Sequence, residues 1–224
     1  MSANFITHEI GEINIGIIVG DPASIFSDYP TVQNFDIQNS ITGAKLGMSS
    51  EIHFLGQVYE SGGTFVSSNP EHIISIPKDQ KTSYLLYQQA HILGYHPATF
   101  QLGLLNLHGV FFDKDEDQAL EYFSSLSEFI GEAAYYCGVI YTNRDQTNVG
   151  IPYFHMAANL GHYNSIFNLI SCYFQPESTT QNLEYAAYFC KKAIRINAED
   201  AEAHSALEKI NILLRIRSAE QHLI

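Results

Sequence analysis

Residues 133–141 read Ala133-Ala-Tyr-Tyr-Cys-Gly138-Val-Ile-Tyr141, and the same degenerate phrase occurs three more times in the chain. The other copies begin at Glu51, Ala98 and Ser165. Each starts with a small or polar residue and has Gly five positions later, or Ile170 in the last copy. Successive copies start 47, 35 and 32 residues apart. A period near 35 is typical of tandem helical hairpins, so the sequence predicts a repeat array.

The second half of each repeat is also regular. Residues 83–94 and 150–161 both end in Gly, with Ala four positions earlier and an aromatic residue seven positions earlier. Shorter copies occupy residues 119–126 and 40–47. Apolar residues at this spacing form one stripe of a helix, and a small residue lets two helices approach where they cross. A final Gly can adopt positive φ and end the helix, so each repeat is predicted to be an antiparallel helix pair.

One run resembles a known repeat. Residues 102–123 contain Leu102-Gly103, then Gly109, a loop with Lys114-Asp115, and Ala119-Leu-Glu-Tyr-Phe. This order, together with Ala90 and Gly94 of the preceding segment, resembles the Sel1-like (Sel-one-like) repeat, a relative of the tetratricopeptide repeat. The resemblance implies an all-α fold, a right-handed α-solenoid of helical hairpins, and non-enzymatic protein binding.

The resemblance covers about residues 35–197, which are predicted to form the repeat array. Residues 1–34 are predicted to be an N-terminal capping segment with a degenerate first helix, although the β-branched run Ile13–Val19 also fits a strand. Residues 62–77, rich in Ser, Gly and Pro, are predicted to form a protruding inserted loop. Residues 198–224 are predicted to form a C-terminal capping helix that closes the stack with a polar face.

Charge limits the choice of partner. The chain of 224 residues has a net charge of −13, and residues 1–180 hold five Lys and Arg against eighteen Asp and Glu. Because acid repels phosphate, nucleic acid and anionic membranes are excluded as expected partners, and a basic protein is favoured. No apolar run is long enough for a membrane span, and the first 30 residues carry no basic signal-peptide region. Three unpaired cysteines indicate reduced thiols, so a cytoplasmic protein is expected.

The sequence offers little for catalysis or metal binding. The acidic run Asp113–Asp117 imitates the start of a calcium loop, but Gln118 and Ser124 stand where Gly and the bidentate Glu belong. An N-cap for the following helix explains the run better. The ten histidines lack zinc-binding spacing, and no serine or cysteine has the context of a nucleophile. We therefore expect no catalytic residue, no metal and no cofactor.

The most specific prediction is a partner-binding groove on the first helices of the repeats. In a tetratricopeptide-like stack, the position three before the anchor Gly and those one, four and five after it face the concave side. An aromatic there also suits packing alone. An apolar groove rimmed by acid suits an amphipathic or basic peptide. The predicted groove residues are His53, Gln57, Glu60, Phe100, Leu104, Leu107, His108, Tyr135, Val139, Phe167 and Phe174.

The resemblance and the charge together favour a bacterial immunity protein that binds and neutralises a cognate secreted toxin. An adaptor or scaffold, or a host-targeted effector of an intracellular bacterium, fits the same class. A metal-dependent enzyme is the alternative from a different class.

Overall fold

Helices dominate the chain from residue 37 onward, and strands precede and interrupt the first of them. The computed structural model describes residues 4–10, 13–20, 32–33, 37–66, 73–110, 112–175 and 179–221. The strands are β1 (Asn4–Ile10), β2 (Ile13–Gly20), β3 (Val32–Gln33), β4 (Gly63–Val66) and β5 (Ile73–Ile76). The helices are α1 (Ile37–Lys45), α2 (Ser49–Ser61), α3 (Gln80–Ile92), α4 (His96–His108), α5 (Glu116–Leu126), α6 (Gly131–Asn143), α7 (Thr147–Asn159), α8 (Asn164–Tyr173), α9 (Thr180–Ile196) and α10 (Ala201–Gln221).

The chain divides into two units, Met1–Tyr122 and Phe123–Ile224. In the first unit the strands form one sheet in the order β1-β2-β5-β4-β3, in which all pairs are antiparallel except β3 with β4. Its core joins the inward faces of α1, α2, α3 and α4 to buried residues of β4 and β5. The core of the second unit lies between α7, α8, α9 and α10.

Two expectations for the first unit are wrong. The run predicted as a degenerate first helix forms β2, because its β-branched residues pair with β1 on one side and β5 on the other. In the inserted segment, Gly63–Val66 and Ile73–Ile76 form a strand pair rather than a loop: Phe65 lies opposite Ile74, and both are buried in the core with Ile76. Apolar residues on one strand face hold the insertion against the helices. Residues 67–72 lie outside the described residues.

Glycine allows close packing inside the hairpins. A Cβ at Gly138 of α6 would lie 2.6 Å from ring carbons of Phe154 in α7, and a Cβ at Gly56 of α2 would lie 2.6 Å from the ring of Tyr87 in α3. Both rings are fully buried. The anchor glycine of the repeat phrase therefore makes room for the aromatic residue of the second helix.

Glycine also follows the second helices α3 and α7, as predicted. Gly94 follows α3 with φ of 79°, and Gly161 follows α7 with φ of 90°. This left-handed region is disfavoured for residues with a Cβ, and it turns the chain toward the next helix. The role of α10 as a cap of the array stays a prediction.

Candidate protein-binding site

Two of the predicted groove residues belong to a hydrogen-bonded network in the first unit. The hydroxyl of Tyr87 donates to Glu60 Oε2 at 2.6 Å, and Gln101 Nε2 donates to the same oxygen at 3.3 Å. The ring of His53 lies 5.3 Å from that of Tyr87 and 5.2 Å from that of Tyr95. Glu60 and His53 are both half-buried, so these two side chains connect α2 to α3 and α4.

Burial shifts the pKa values in this network. It raises the pKa of Tyr87, and the hydrogen bond and negative charge of Glu60 raise it further. It lowers the pKa of His53, against the opposing effect of Glu60. At neutral pH the phenol of Tyr87 and the imidazole of His53 are therefore both neutral.

The other predicted residues of the first unit differ in exposure. Gln57 and His108 are exposed, whereas Phe100, Leu104 and Leu107 are half-buried. Gln57 lies on α2, and the other four lie on α4. Half-buried apolar side chains can serve a partner or the interior of the fold, so their role in binding stays a prediction.

In the second unit, Phe167 and Phe174 line one groove. The groove is about 480 Å³, and its walls come from α8 and α10. Phe167, Ile170 and Phe174 supply the apolar wall, and Glu202, Ser205 and Lys209 face them. Both phenylalanines are half-buried. The structure thus brings together two residues that the sequence predicted for one surface.

A hydrogen bond joins the starts of these two helices. The hydroxyl of Tyr163, directly before α8, donates to Asp200 Oδ2 at 2.7 Å. The other oxygen of Asp200 accepts from the backbone N–H of Ala203 at 2.9 Å, which caps α10. The hydrogen bond to Asp200 is the main cause that raises the pKa of Tyr163 to about 12. The hydrogen bond between Tyr163 and Asp200 therefore holds the starts of α8 and α10 together at one end of the groove.

Tyr135 and Val139, the remaining predicted residues, contribute to packing. The Tyr135 ring lies 4.4 Å from the ring of His162 and 6.2 Å from that of Phe154. Val139 packs against the core of the second unit. His162 Nδ1 lies 2.8 Å from Ser165 Oγ, so this aromatic cluster also connects α6 to the start of α8.

The sequence reasoning missed a pocket on the second helices. This pocket is about 470 Å³ and lies between α7 and α9 in the second unit. His155 Nε2 lies 3.0 Å from the hydroxyl of Tyr173, and burial lowers the pKa of His155, with Lys192 adding to the effect. The sequence feature that could have indicated this pocket is the pair of tyrosines Tyr185 and Tyr188, which lie outside the buried stripe of α9. The pocket is lined by His155, Asn159, Gln181, Glu184, Tyr185, Tyr188, Phe189 and Lys192.

A comparable cleft of about 680 Å³ lies in the first unit, beside α3. The rings of Tyr84 and Phe112 meet edge to face, with their centroids 5.0 Å apart, and Asp113 and Asp115 add acidic side chains to the lining. Lys81, Tyr84, Leu85 and Gln88 line it from α3. These positions have the same spacing as the α9 positions in the other pocket, so both cavities lie on the outward face of a second helix.

The chemistry of the acidic run agrees with the N-cap interpretation. Asp115 Oδ1 accepts from the backbone N–H of Gln118 at 2.9 Å, which caps α5.

Among the described residues, no three His, Cys, Asp or Glu side chains gather closely enough to hold a metal ion. Nor does any helix in the described ranges combine the length and apolarity that a membrane span requires.

The three cysteines are free thiols. Cys137 and Cys190 are buried and Cys172 is half-buried. Burial raises the pKa of Cys137 to about 12 and that of Cys190 to about 11. Since the thiolate is the reactive form, these two residues behave as small core side chains.

The family comparison identifies the repeats. The Sel1 repeat model matches residues 96–128, 130–162 and 167–197, which correspond to the pairs α4–α5, α6–α7 and α8–α9. The chain thus carries three Sel1 repeats, and the prediction of Sel1-like repeats is confirmed. No curated protein matches the chain significantly.

Solved structures share the fold. The protective antigen c5321 of uropathogenic Escherichia coli, which displays an SLR fold, is 22% identical with a TM-score of 0.59 and covers 73% of this chain. This chain spans only 34% of that protein. The Sel1 repeat protein from Oxalobacter formigenes is 18% identical with a TM-score of 0.59, over 81% of this chain and 78% of its own. The prediction of an all-α solenoid of helical hairpins is confirmed, with the five-stranded sheet of the first unit as an addition.

Immunity protein Pa5087 from Pseudomonas aeruginosa also matches, at 16% identity, over 79% of this chain and 80% of its own. Its TM-score is 0.39, which is too low to show a shared fold.

Proposed function

We propose that this chain, which carries three Sel1 repeats, is a non-enzymatic binding module for a basic protein, and specifically a cytoplasmic bacterial immunity protein that neutralises a secreted toxin. The observation that carries the proposal is the concentration of acid, with eighteen Asp and Glu against five Lys and Arg in residues 1–180. Such a field attracts a basic protein over a distance and repels nucleic acid.

The groove in the second unit gives this attraction a docking surface. Phe167 and Phe174 offer an apolar wall to an amphipathic segment, which is how short helices and extended peptides are commonly held. Glu202 and Lys209 lie two turns apart on the other wall, about 10 Å along α10. A basic residue of the partner would lie at the Glu202 end, so the groove also sets the direction of the bound segment.

The proposal is tested by affinity capture. The purified chain is the bait, at low and at moderate salt, with lysate of its source in which the neighbouring gene products are expressed. We expect one basic protein, retained in near-stoichiometric amount and released as salt rises. Several weakly held proteins, or none until host lysate is supplied, would contradict the immunity role and favour an adaptor or host-targeted effector.

Matched variants connect capture to the groove. Phe174→Ala and Phe167→Ala are expected to lower retention of the partner about tenfold or more, as for anchor residues of protein interfaces. Ile92→Ala is the control, because Ile92 is 80% exposed and lies outside the groove. Equal loss with all three variants would argue against the groove as the docking surface.

The immunity role has its own test in cells. Co-expression of the chain with a toxin encoded next to it should restore growth, and Phe174→Ala should weaken that protection. Failure of the intact chain both to bind and to protect against any neighbouring toxin would refute the immunity role.

A further inference from the structure

Helix α9 presents a strip of polar and aromatic side chains to solvent. Its opposite face carries Leu183, Ala186, Cys190 and Ala193, all buried in the core of the second unit. Tyr185 is 45% exposed and Tyr188 is 52% exposed, which places two aromatic rings on the open side of one helix. The strip consists of Gln181, Glu184, Tyr185, Tyr188, Lys191, Lys192 and Arg195.

The strip is complementary to itself about Tyr188. Glu184 lies four residues before Tyr188 and Lys192 four residues after it. Tyr185 and Lys191 lie three residues on either side, and Gln181 and Arg195 lie seven. If two copies of the helix pack antiparallel with Tyr188 opposite Tyr188, Glu184 of each copy meets Lys192 of the other, about 6 Å along the axis from the centre.

We propose that α9 is a self-association surface, on which a second copy of this chain packs antiparallel about a two-fold axis at Tyr188. The arrangement is isologous, so every favourable contact is made twice. It pairs the carboxylate of Glu184 with Lys192, the ring of Tyr185 with the ammonium group of Lys191, and the amide of Gln181 with the guanidinium group of Arg195. Tyr and Arg are also the residue types that contribute most to protein interfaces.

Charge selects a second copy over the basic partner proposed for the groove. Residues 181–224 hold six Lys and Arg and six Asp and Glu, so the acidic field belongs to the preceding residues. Two copies of a chain with a net charge of −13 approach with least repulsion through such a neutral part. The strip itself holds one acid, Glu184, against the three bases Lys191, Lys192 and Arg195, so it repels a basic protein, whereas a second copy of this chain brings Glu184 to Lys192 and an overall net charge of −13.

The pocket beside the strip supplies room for the partner's ring. It is about 470 Å³, and His155 and Asn159 of α7 close the side away from α9. A Tyr188 ring from the second copy would extend over this opening. Lys192 Nζ lies 3.5 Å from the carbonyl oxygen of Ala158. An ammonium group has three N–H donors, so Lys192 can keep this contact and still pair with a carboxylate.

The affinity of such a dimer is modest. Helix α9 has 17 residues and is therefore about 25 Å long, so one helix on each side buries a small interface. Interfaces at the low end of the size range are weak or transient, and we expect a Kd on the order of micromolar or weaker. Higher salt should weaken the dimer, because ion pairs at its rim are screened.

The test is sedimentation velocity on the full chain over a dilution series that reaches the millimolar range. The intact chain should shift from monomer to dimer as concentration rises. Tyr188→Ala should abolish the shift. Glu184→Lys and Lys192→Glu should each abolish it as well, because each variant places like charges opposite one another twice.

Mixing the two charge variants distinguishes this geometry from others. In an equimolar mixture, Lys at position 184 of one chain meets Glu at position 192 of the other, and both ion pairs are restored. The mixture should therefore dimerise although neither variant does so alone. Glu208→Lys, which makes the same charge change on the exposed surface of α10, is the control and should dimerise like the intact chain.

A monomer at every concentration of the intact chain would overturn the proposal. So would a mixture that stays monomeric while circular dichroism shows both variants folded. Neither result would affect binding of a basic partner to the groove between α8 and α10, so the two proposals fail separately.

Discussion

Replacing Gly138 by Val tests the packing rule on which the hairpins depend. A Cβ at Gly138 would lie 2.6 Å from two ring carbons of Phe154 and 3.0 Å from a third. Carbon atoms in contact prefer about 3.5–4.0 Å, so either the ring or the helix must move by about 1 Å. Phe154 is fully buried and belongs to the core of the second unit, so its ring has little room to move.

The magnitude follows from two opposing effects. Overpacking a dense core usually costs about 1–3 kcal/mol, and the two γ-carbons of valine add to the single Cβ considered above. Valine is a slightly better helix former than glycine, which returns a few tenths of a kcal/mol. We expect Gly138→Val to lower the free energy of unfolding by about 2–3 kcal/mol. For a chain of this size that corresponds to a fall in Tm of about 5–10 °C, measured by circular dichroism.

Gly43→Val is the matched control. A Cβ at Gly43 of α1 would also be close to a neighbour, 2.7 Å from Glu51 Cγ, but that atom belongs to a flexible side chain that can turn away. The gain in helix propensity is the same as at Gly138. We therefore expect Gly43→Val to change the free energy of unfolding by less than about 1 kcal/mol.

A double variant identifies the atoms responsible. Phe154→Leu removes the ring carbons that a side chain at Gly138 would meet, although it destabilises the core by leaving a cavity. Residues in contact do not add independently, so Gly138→Val with Phe154→Leu should cost about 1 kcal/mol less than the sum of the single changes. An unchanged Tm for Gly138→Val, or strictly additive costs in the double variant, would refute the packing argument.

Other predictions concern caps, protons and thiols. Asp115→Ala should lower the free energy of unfolding by about 1 kcal/mol in urea titration, because it removes the cap of α5. Asp113→Ala is the control and should leave the free energy of unfolding unchanged. Equal losses for the two variants would contradict the assignment of the cap to Asp115. Burial lowers the pKa of His162, so the unfolded chain takes up protons more readily and stability should fall as pH drops from about 7 to 5. His162→Gln should make that fall shallower, and an unchanged slope would count against the burial effect. Cys137 should resist thiol reagents until the chain unfolds, whereas labelling in the native state would show that α6 opens locally.

Binding residues could be predicted only in part. The repeat register led to Phe167 on α8 and to Phe174 directly after it, because residues seven positions apart lie on one face of a helix. It also selected His53 and Glu60, whose hydrogen bonds and ring contacts are internal. Tyr87 and Gln101, the partners of Glu60, lie 27 and 41 residues further along the chain. A periodic pattern does not show which side chains so far apart in the sequence contact each other.

The pockets beside α3 and α9 were missed for a related reason. Their lining residues sit on the outward faces of second helices, where the helical stripe predicts only solvent. A cavity forms there because a neighbouring helix or loop supplies another wall, such as His155 of α7 or Phe112 after α4. The self-complementary order of α9 about Tyr188 is readable from the sequence, but its exposure depends on which face the core covers.

The helical hairpins, the close-packed glycines Gly56 and Gly138 and the glycine ends of α3 and α7 could be predicted from the sequence alone. These features depend on residues within one or two turns, or on a repeat that is visible as a period. The strand conformation of residues 13–20 and of the insertion depends instead on tertiary pairing. An isolated β-branched run becomes a strand when a partner supplies its hydrogen bonds, and Ile18 of β2 pairs with Ser75 of β5, far along the chain. Pairing over that distance depends on where the intervening helices bring the two segments, which no local pattern records.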